Sequence, residues 1–313
     1  MESQKPKIAL YVKRPFGEKL NVSFDFIKEN WKSLLKFSTY LLLPLSLIQA
    51  LSLNGLMGGA MNLSQMAANK VGMESEILTG SVSFFMYYGI YILLFFIGSV
   101  TLTSLVYALI ETYNKREERL LNITLKDIKS LLIHNVKRLL VLMLVCVAFI
   151  LLVIFLMGFL GGMSPYTMIL TIPAFIVFVV PLALLAPIYL FEGVSIVAAF
   201  KKTFRLGFAT WGGVFLMMIV MGIIASVLQG VTMMPWYIAT IVKYFFAVSD
   251  TGNTTTVSAG YSFLLYLLGI IQVFGVYLSM IFSLVGMTYQ YGHATEVVDS
   301  ITVENDIDNF DKL

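Results

Sequence analysis

The sequence predicts an all-α fold: a polytopic membrane bundle of six transmembrane helices in three hairpins, with amphipathic helices along the cytoplasmic interface. Three observations carry this. First, 313 residues that are 58% hydrophobic and 12% charged, with mean hydropathy +0.86, have about half the charge that a soluble surface needs. Second, six apolar stretches each exceed the ~20 residues required to cross a hydrocarbon core of ~30 Å as a helix. They run from Phe37 to Ala60, Ser83 to Ile110, Leu139 to Leu160, Met168 to Phe191, Val214 to Met234 and Ser262 to Met287. Third, Lys and Arg alternate between the connecting segments, 19 of 21 falling on one side and two on the other. Basic residues stay on the cytoplasmic side of such proteins, so both termini are expected there.

Taken in order, residues 1–36 form a polar, basic N-terminal segment. It lacks the short n-region and apolar core of a cleavable signal peptide, so the first span is expected to act as its own insertion signal. Within it Phe24, Ile27, Trp31 and Leu34 recur at helical spacing among Asp25, Lys28, Glu29 and Lys32, the pattern of a helix lying in the membrane interface. The arrangement returns before span three around Ile128 and Leu132, with Lys126, Lys129, Lys137 and Arg138. It returns again before span five at Phe200, Phe204 and Phe208 around Lys201, Lys202 and Arg205. The strings at 28–32, 133–137 and 208–212 can be laid over one another, so the three hairpins read as a degenerate repeat, with shared packing constraints as the alternative.

Residues 37–291 form the six-span membrane domain, and the outer connections differ from the inner ones. Residues 61–82 are small and polar, Gly161 to Thr167 is a short link, and Ile238 to Phe246, with Lys243 inside, is too short to cross. That last segment is expected to rest on the outer surface or fold back on the bundle. Span four holds Pro173, Pro181 and Pro187, each of which removes a backbone donor, so a kinked helix with a cavity beside it is expected. The acidic run after Gly292, residues 292–313, reads as a disordered cytoplasmic tail.

Chemistry is scarce. None of the six stretches contains an ionisable residue of the kind that proton and ion pathways retain. Two histidines, His134 and His293, and one cysteine, Cys146, supply no metal-ligand spacing, and no nucleophile elbow or phosphate-binding loop occurs. The outer-side methionines, among them Met57, Met66, Met73, Met163 and Met234, would need thiol or imidazole companions to favour a copper site. The sequence therefore predicts no enzyme, no cofactor and no metal. Gly55 and Gly59, and Gly158 and Gly162, match the small-residue spacing of close helix contacts.

One charged constellation stands out. Glu192 follows the proline-bent span, where it is expected at the cytoplasmic mouth of that cavity, and precedes the basic helix carrying Lys201, Lys202 and Arg205, so opposite charges can tie the end of span four to that helix. Glu192, Lys201, Lys202, Arg205, Pro173, Pro181 and Pro187 are the candidate functional or structural residues.

The stretch from Phe191 through Glu192, Gly193, Ser195, Ala198 and Lys201 to Phe204, leading to Trp211, resembles an element of bacterial six-helix membrane proteins. These are grouped with the glycerophosphoryl diester phosphodiesterase membrane domain and related families of unknown function. The pattern covers about 20 residues, the topology the whole hydrophobic chain. In that family the hydrolase is a separate soluble domain, for which this chain has no room, so the resemblance implies a membrane module without hydrolysis. The expected function is an envelope scaffold or accessory subunit of the bacterial inner membrane. Its expected partners are membrane lipids, with other membrane proteins or a second copy as further candidates and no nucleic acid. A transporter for an apolar or amphipathic substrate is the alternative, with Gln229, Gln272, Ser279 and Ser283 along its path.

Overall fold

The computed structural model describes residues 6–69, 74–164, 166–249 and 258–302, with side chains described for all of these except 65–69, 74–77, 163 and 246–249. Among them every regular element is a helix. In chain order these are α1 (Phe16–Asn69), α2 (Glu74–Lys115), α3 (Leu125–Met163), α4 (Thr167–Leu182), α5 (Leu185–Phe191), α6 (Ile196–Ala209), α7 (Trp211–Ser249) and α8 (Ala259–Val298). Six spans are long and apolar enough to cross a membrane, α4 and α5 together making the fourth.

All three amphipathic stretches are helical, but only the third is separate. The first belongs to α1, whose 54 residues extend ~80 Å, and the second to α3. Neither stretch has a Gly or Pro at its junction with the span, and a change from amphipathic to fully apolar residues does not break a helix. α6 is set apart because Gly193 turns the chain at φ +63° and Ser195 caps it, its side chain accepting from the Ala198 N–H at 3.4 Å. At the other end Thr210 leaves helical geometry with φ −123°, and α7 starts at the next residue.

Two other expectations are corrected. Ile238 to Phe246 does not form a separate fold-back segment, because α7 continues as one helix past Pro235 to Ser249. Within that stretch, the Tyr261 hydroxyl donates to the Ala239 carbonyl at 2.7 Å. The acidic tail is ordered at its start, since α8 continues to Val298. Glu296 is buried and accepts from the Thr302 N–H at 3.2 Å and from the Thr302 hydroxyl. Glu304, Asp306, Asp308 and Asp311 lie outside the described residues.

The chain divides into two compact units. The first comprises residues 1–34, 103–223 and 281–313. Its core stacks Phe26 edge-on against Tyr113, with ring centres 5.1 Å apart, and against Tyr289 at 6.1 Å. The N-terminal strap is pinned to it: Lys7 Nζ donates to the Asn114 carbonyl at 2.6 Å and the Arg14 N–H to His293 Nδ1 at 3.0 Å. The Leu10 carbonyl occupies the space where any side chain at Gly292 would project.

The second unit comprises residues 35–102 and 224–280. Buried Tyr277 anchors it, donating to Gln49 Oε1 at 2.6 Å with its ring against Gly98, where no Cβ could fit. Gly55 packs on the Tyr87 ring and Gly59 on the Phe84 backbone, which makes the first small-residue pair an internal contact. Gly158 and Gly162, in the first unit, face open space.

Burial is uneven in a way that requires lipid. The apolar windows of α2 and α8 are 50% buried, whereas those of α3, α4 with α5, and α7 are 11, 22 and 17% buried. Such continuous apolar surface is untenable in water and ordinary in a bilayer. The protein is a multi-pass membrane protein.

Candidate functional site

Glu192 caps the C-terminus of α5 and accepts two bonds at one oxygen: from Lys202 Nζ at 2.9 Å and from the Tyr291 hydroxyl at 2.8 Å. Lys202 reaches on to Asp299 at 2.9 Å, and Arg205 meets the other Asp299 oxygen at 2.6 Å. The chain of contacts thus runs α5, α6 and the end of α8, with the Tyr11 hydroxyl 3.4 Å from that of Tyr291. Phe191 stacks on the Tyr291 ring at 5.8 Å and receives Tyr107 edge-on at 5.3 Å, which excludes water from one side of the pair.

Electrostatics follow from this packing. Burial alone would lower the Lys202 ammonium, but the Asp299 and Glu192 carboxylates outweigh it and hold its pKa above the ordinary lysine value. Burial pushes the Tyr11 phenol up, against the hydrogen bond to Tyr291. Of the three cations expected near Glu192, Lys202 makes the direct tie, Arg205 joins through Asp299, and Lys201 points to the exposed face of α6.

The sequence missed three partners. Tyr291 and Asp299 lie about a hundred residues from Glu192, and no spacing rule connects them. Arg138 of α3 is the third. Its Nη2 donates to the carbonyls of Tyr189 at 2.7 Å and Val194 at 2.6 Å, and Nη1 to that of Gly193 at 3.3 Å, with the guanidinium 3.9 Å over the Tyr189 ring. A cation here satisfies one carbonyl of the last turn of α5, that of Tyr189, and two of the turn that follows it.

The prolines divide by role. Pro181 lies one residue before the end of α4, where its missing N–H leaves the Val177 carbonyl to accept from the Trp211 indole at 3.0 Å, and the chain turns at Ala183 and Leu184 before α5 resumes. The turn is packed: Leu184 and Leu185 are buried, and a Cβ on Gly207 would lie 2.5 Å from the Pro181 side chain. Pro173 stays inside α4 and is exposed, while Pro187 is buried within α5.

A groove of about 610 Å³ lies beside span four. Phe149, Val153 and Leu156 of α3 form one wall, Phe175 and Phe178 of α4 the other, and Phe204 of α6 also lines it. Its lining is almost wholly apolar, Thr171 being the exception. Glu192 is not part of this lining, contrary to the position at the cavity mouth that the sequence suggests, because the turn at Ala183 redirects α5 toward α6 and α8. Gln272 and Ser279 are buried in the second unit, and Gln229 and Ser283 are half-buried.

No family model matches this chain, and no curated protein or solved structure is similar to it.

Proposed function

We propose that the protein is a non-catalytic scaffold or accessory subunit of a bacterial inner membrane, with both termini cytoplasmic, that works by holding membrane lipid. The groove between α3 and α4 is the observation that carries this reading. From Phe149 to Leu160 it follows α3 for ~16 Å, about half of a hydrocarbon core, so its length suits an acyl chain from one leaflet. Its volume lies within the ordinary range for ligand sites, and its lining offers a hydrocarbon chain dispersion contacts, its one polar side chain, Thr171, already donating to the Thr167 carbonyl at 3.0 Å. The charge tie of Glu192, Lys202 and Asp299 acts as a structural clasp that keeps α6 seated beside α4. The likeness of residues 191–204 to the glycerophosphoryl diester phosphodiesterase membrane domain points the same way, to a membrane module without hydrolysis.

Transport of an amphipathic substrate is the alternative, favoured by the break between α4 and α5. The tight packing of that break weighs for the scaffold. A phospholipid bearing a photoreactive diazirine midway along one acyl chain tests the proposal in proteoliposomes. Crosslinks should concentrate on α3 and α4, and Ala174→Phe, which fills the groove, should remove most of them. Crosslinks spread evenly over the exposed face of α7, or undiminished in Ala174→Phe, would reject lipid holding. Lipid-analogue translocation by the same proteoliposomes would replace it with transport.

A further inference from the structure

The second unit contains a small polar cavity of about 100 Å³ between α1, α7 and the start of α8. Asn54 contributes from α1, Thr240, Lys243 and Tyr244 from α7, and Ser262 from α8, with apolar Met57 and Leu265 completing the wall. It is separate from the lipid groove, and nothing about it depends on that reading.

Every polar side chain of the lining can donate. Lys243 brings an ammonium, and Thr240, Tyr244 and Ser262 bring hydroxyls. Asn54 brings an amide NH2, because its oxygen already accepts from the Trp236 indole N–H at 2.9 Å. Thr240 is particular. Elsewhere in the chain helical threonines such as Thr101, Thr112 and Thr288 donate to the carbonyl four residues back. The Thr240 hydroxyl has no partner although the residue is only 4% exposed. A buried hydroxyl without an acceptor is destabilising, and the half-buried Lys243 ammonium has the Tyr244 ring, 5.5 Å away, as its contact. Among the described residues no carboxylate reaches Lys243. The acidic residues that the sequence places in this unit, Glu74, Glu76 and Asp250, lie outside the described side chains.

We infer that this cavity binds a small carboxylate, either a free short-chain acid or the head of an amphiphile. One negative charge matches one ammonium. Two carboxylate oxygens offer about four lone-pair sites, enough to receive Lys243, Thr240, Ser262 and Asn54 together, whereas a halide gives no such directional set. The volume corresponds to about three waters and excludes nucleotides or sugars.

Trp236, 3% exposed and bonded to Asn54, is a built-in reporter. The chain carrying Trp31→Phe and Trp211→Phe is titrated with acetate, laurate below its micelle concentration, chloride and nitrate at constant ionic strength, following Trp236 fluorescence. Acetate should give a saturable change that Lys243→Gln and Thr240→Val each weaken at least tenfold, with Lys243→Arg retaining most of it. Laurate binding at least tenfold tighter than acetate identifies the amphiphile as the source, and equal affinity identifies the free acid. As a measurement independent of the tryptophan replacements, acetate should raise the melting temperature of the unaltered chain over chloride, and Lys243→Gln, with unchanged elution and ligand-free melting, should abolish that difference. Absence of saturation, chloride binding as tightly as acetate, or a response unchanged by Lys243→Gln would overturn the assignment.

Discussion

Replacing Lys202 by Met separates the charge clasp into measurable parts. Lys202 is 21% exposed and bridges Glu192 and Asp299, themselves 16 and 17% exposed. Fully exposed pairs contribute at most ~1 kcal/mol, and stranding one partner of a buried pair costs ~3 to 5 kcal/mol. Lys202→Met leaves neither carboxylate wholly stranded, because Glu192 keeps the Tyr291 hydroxyl and Asp299 keeps Arg205. The loss should therefore fall between these limits, at about 2 kcal/mol. With an unfolding entropy near 0.7 kcal/mol per degree for 313 residues, that is a melting temperature about 3 °C lower in detergent. Glu192→Gln should cost less, about 1 kcal/mol, since the amide oxygen still accepts from Tyr291 and Lys202 still has Asp299. The double variant should lie closer to Lys202→Met than to the sum, because the two residues share one interaction. Strict additivity, or unchanged melting and abundance in Lys202→Met, would refute the clasp. Normal abundance with a lost cellular phenotype in Glu192→Gln would instead make Glu192 a functional residue.

Three further outcomes are expected. With Cys146 replaced by Ala, Ser75→Cys should react with an impermeant maleimide from outside the cell; reaction only from the cytoplasmic side would invert the proposed topology. Arg138→Met should lower stability by ~2 to 3 kcal/mol because the carbonyls of Tyr189, Gly193 and Val194 lose a charged donor, and Arg138→Lys should restore less than half of it, since one ammonium cannot reproduce the planar fork. The Lys202 contribution should be flat with pH up to its unfolded value of 10.5 and fade only above it, because a raised folded-state pKa stabilises below that point and is lost as pH climbs through it. Melting of the unaltered chain against Lys202→Met from pH 7 to 11 checks this, and a difference that vanishes by pH 9 would contradict it.

Spans and their number are legible because hydrocarbon imposes a length and a composition that water does not. Helix ends are less so. The junctions at Leu34 and Leu139 mark where the surroundings of the helix change, and nothing in the backbone chemistry there requires a break. At Gly193 and Ser195 a left-handed turn and a cap do require one, and that boundary is readable. Composition misled at the acidic tail. Glu296 and Asp299 read as solvated charge, yet Tyr291, Ala294, Thr295 and Val298 continue a helical period that carries both carboxylates to their partners.

The site divides in the same way. Local charge order singled out Glu192 and the three cations after it, since residues on adjoining short helices can meet without long-range information. Among those cations the choice of Lys202 needed the fold, as did the distant partners Tyr291, Asp299 and Arg138: α6 turns one side inward, where Ala199, Thr203 and Leu206 are buried, and Lys202 lies beside that face while Lys201 does not. A groove does lie beside the proline-rich span, but none of Pro173, Pro181 and Pro187 lines it. Pro187 lacks the N–H that would bond the Ala183 carbonyl, and the two-residue turn there carries Glu192 to α6 and α8 while the groove stays with α3 and α4. One helix break therefore separates the charged clasp from the apolar groove. Lipid binding and clasp stability should accordingly respond to different substitutions, with Ala174→Phe acting on the first and Lys202→Met on the second.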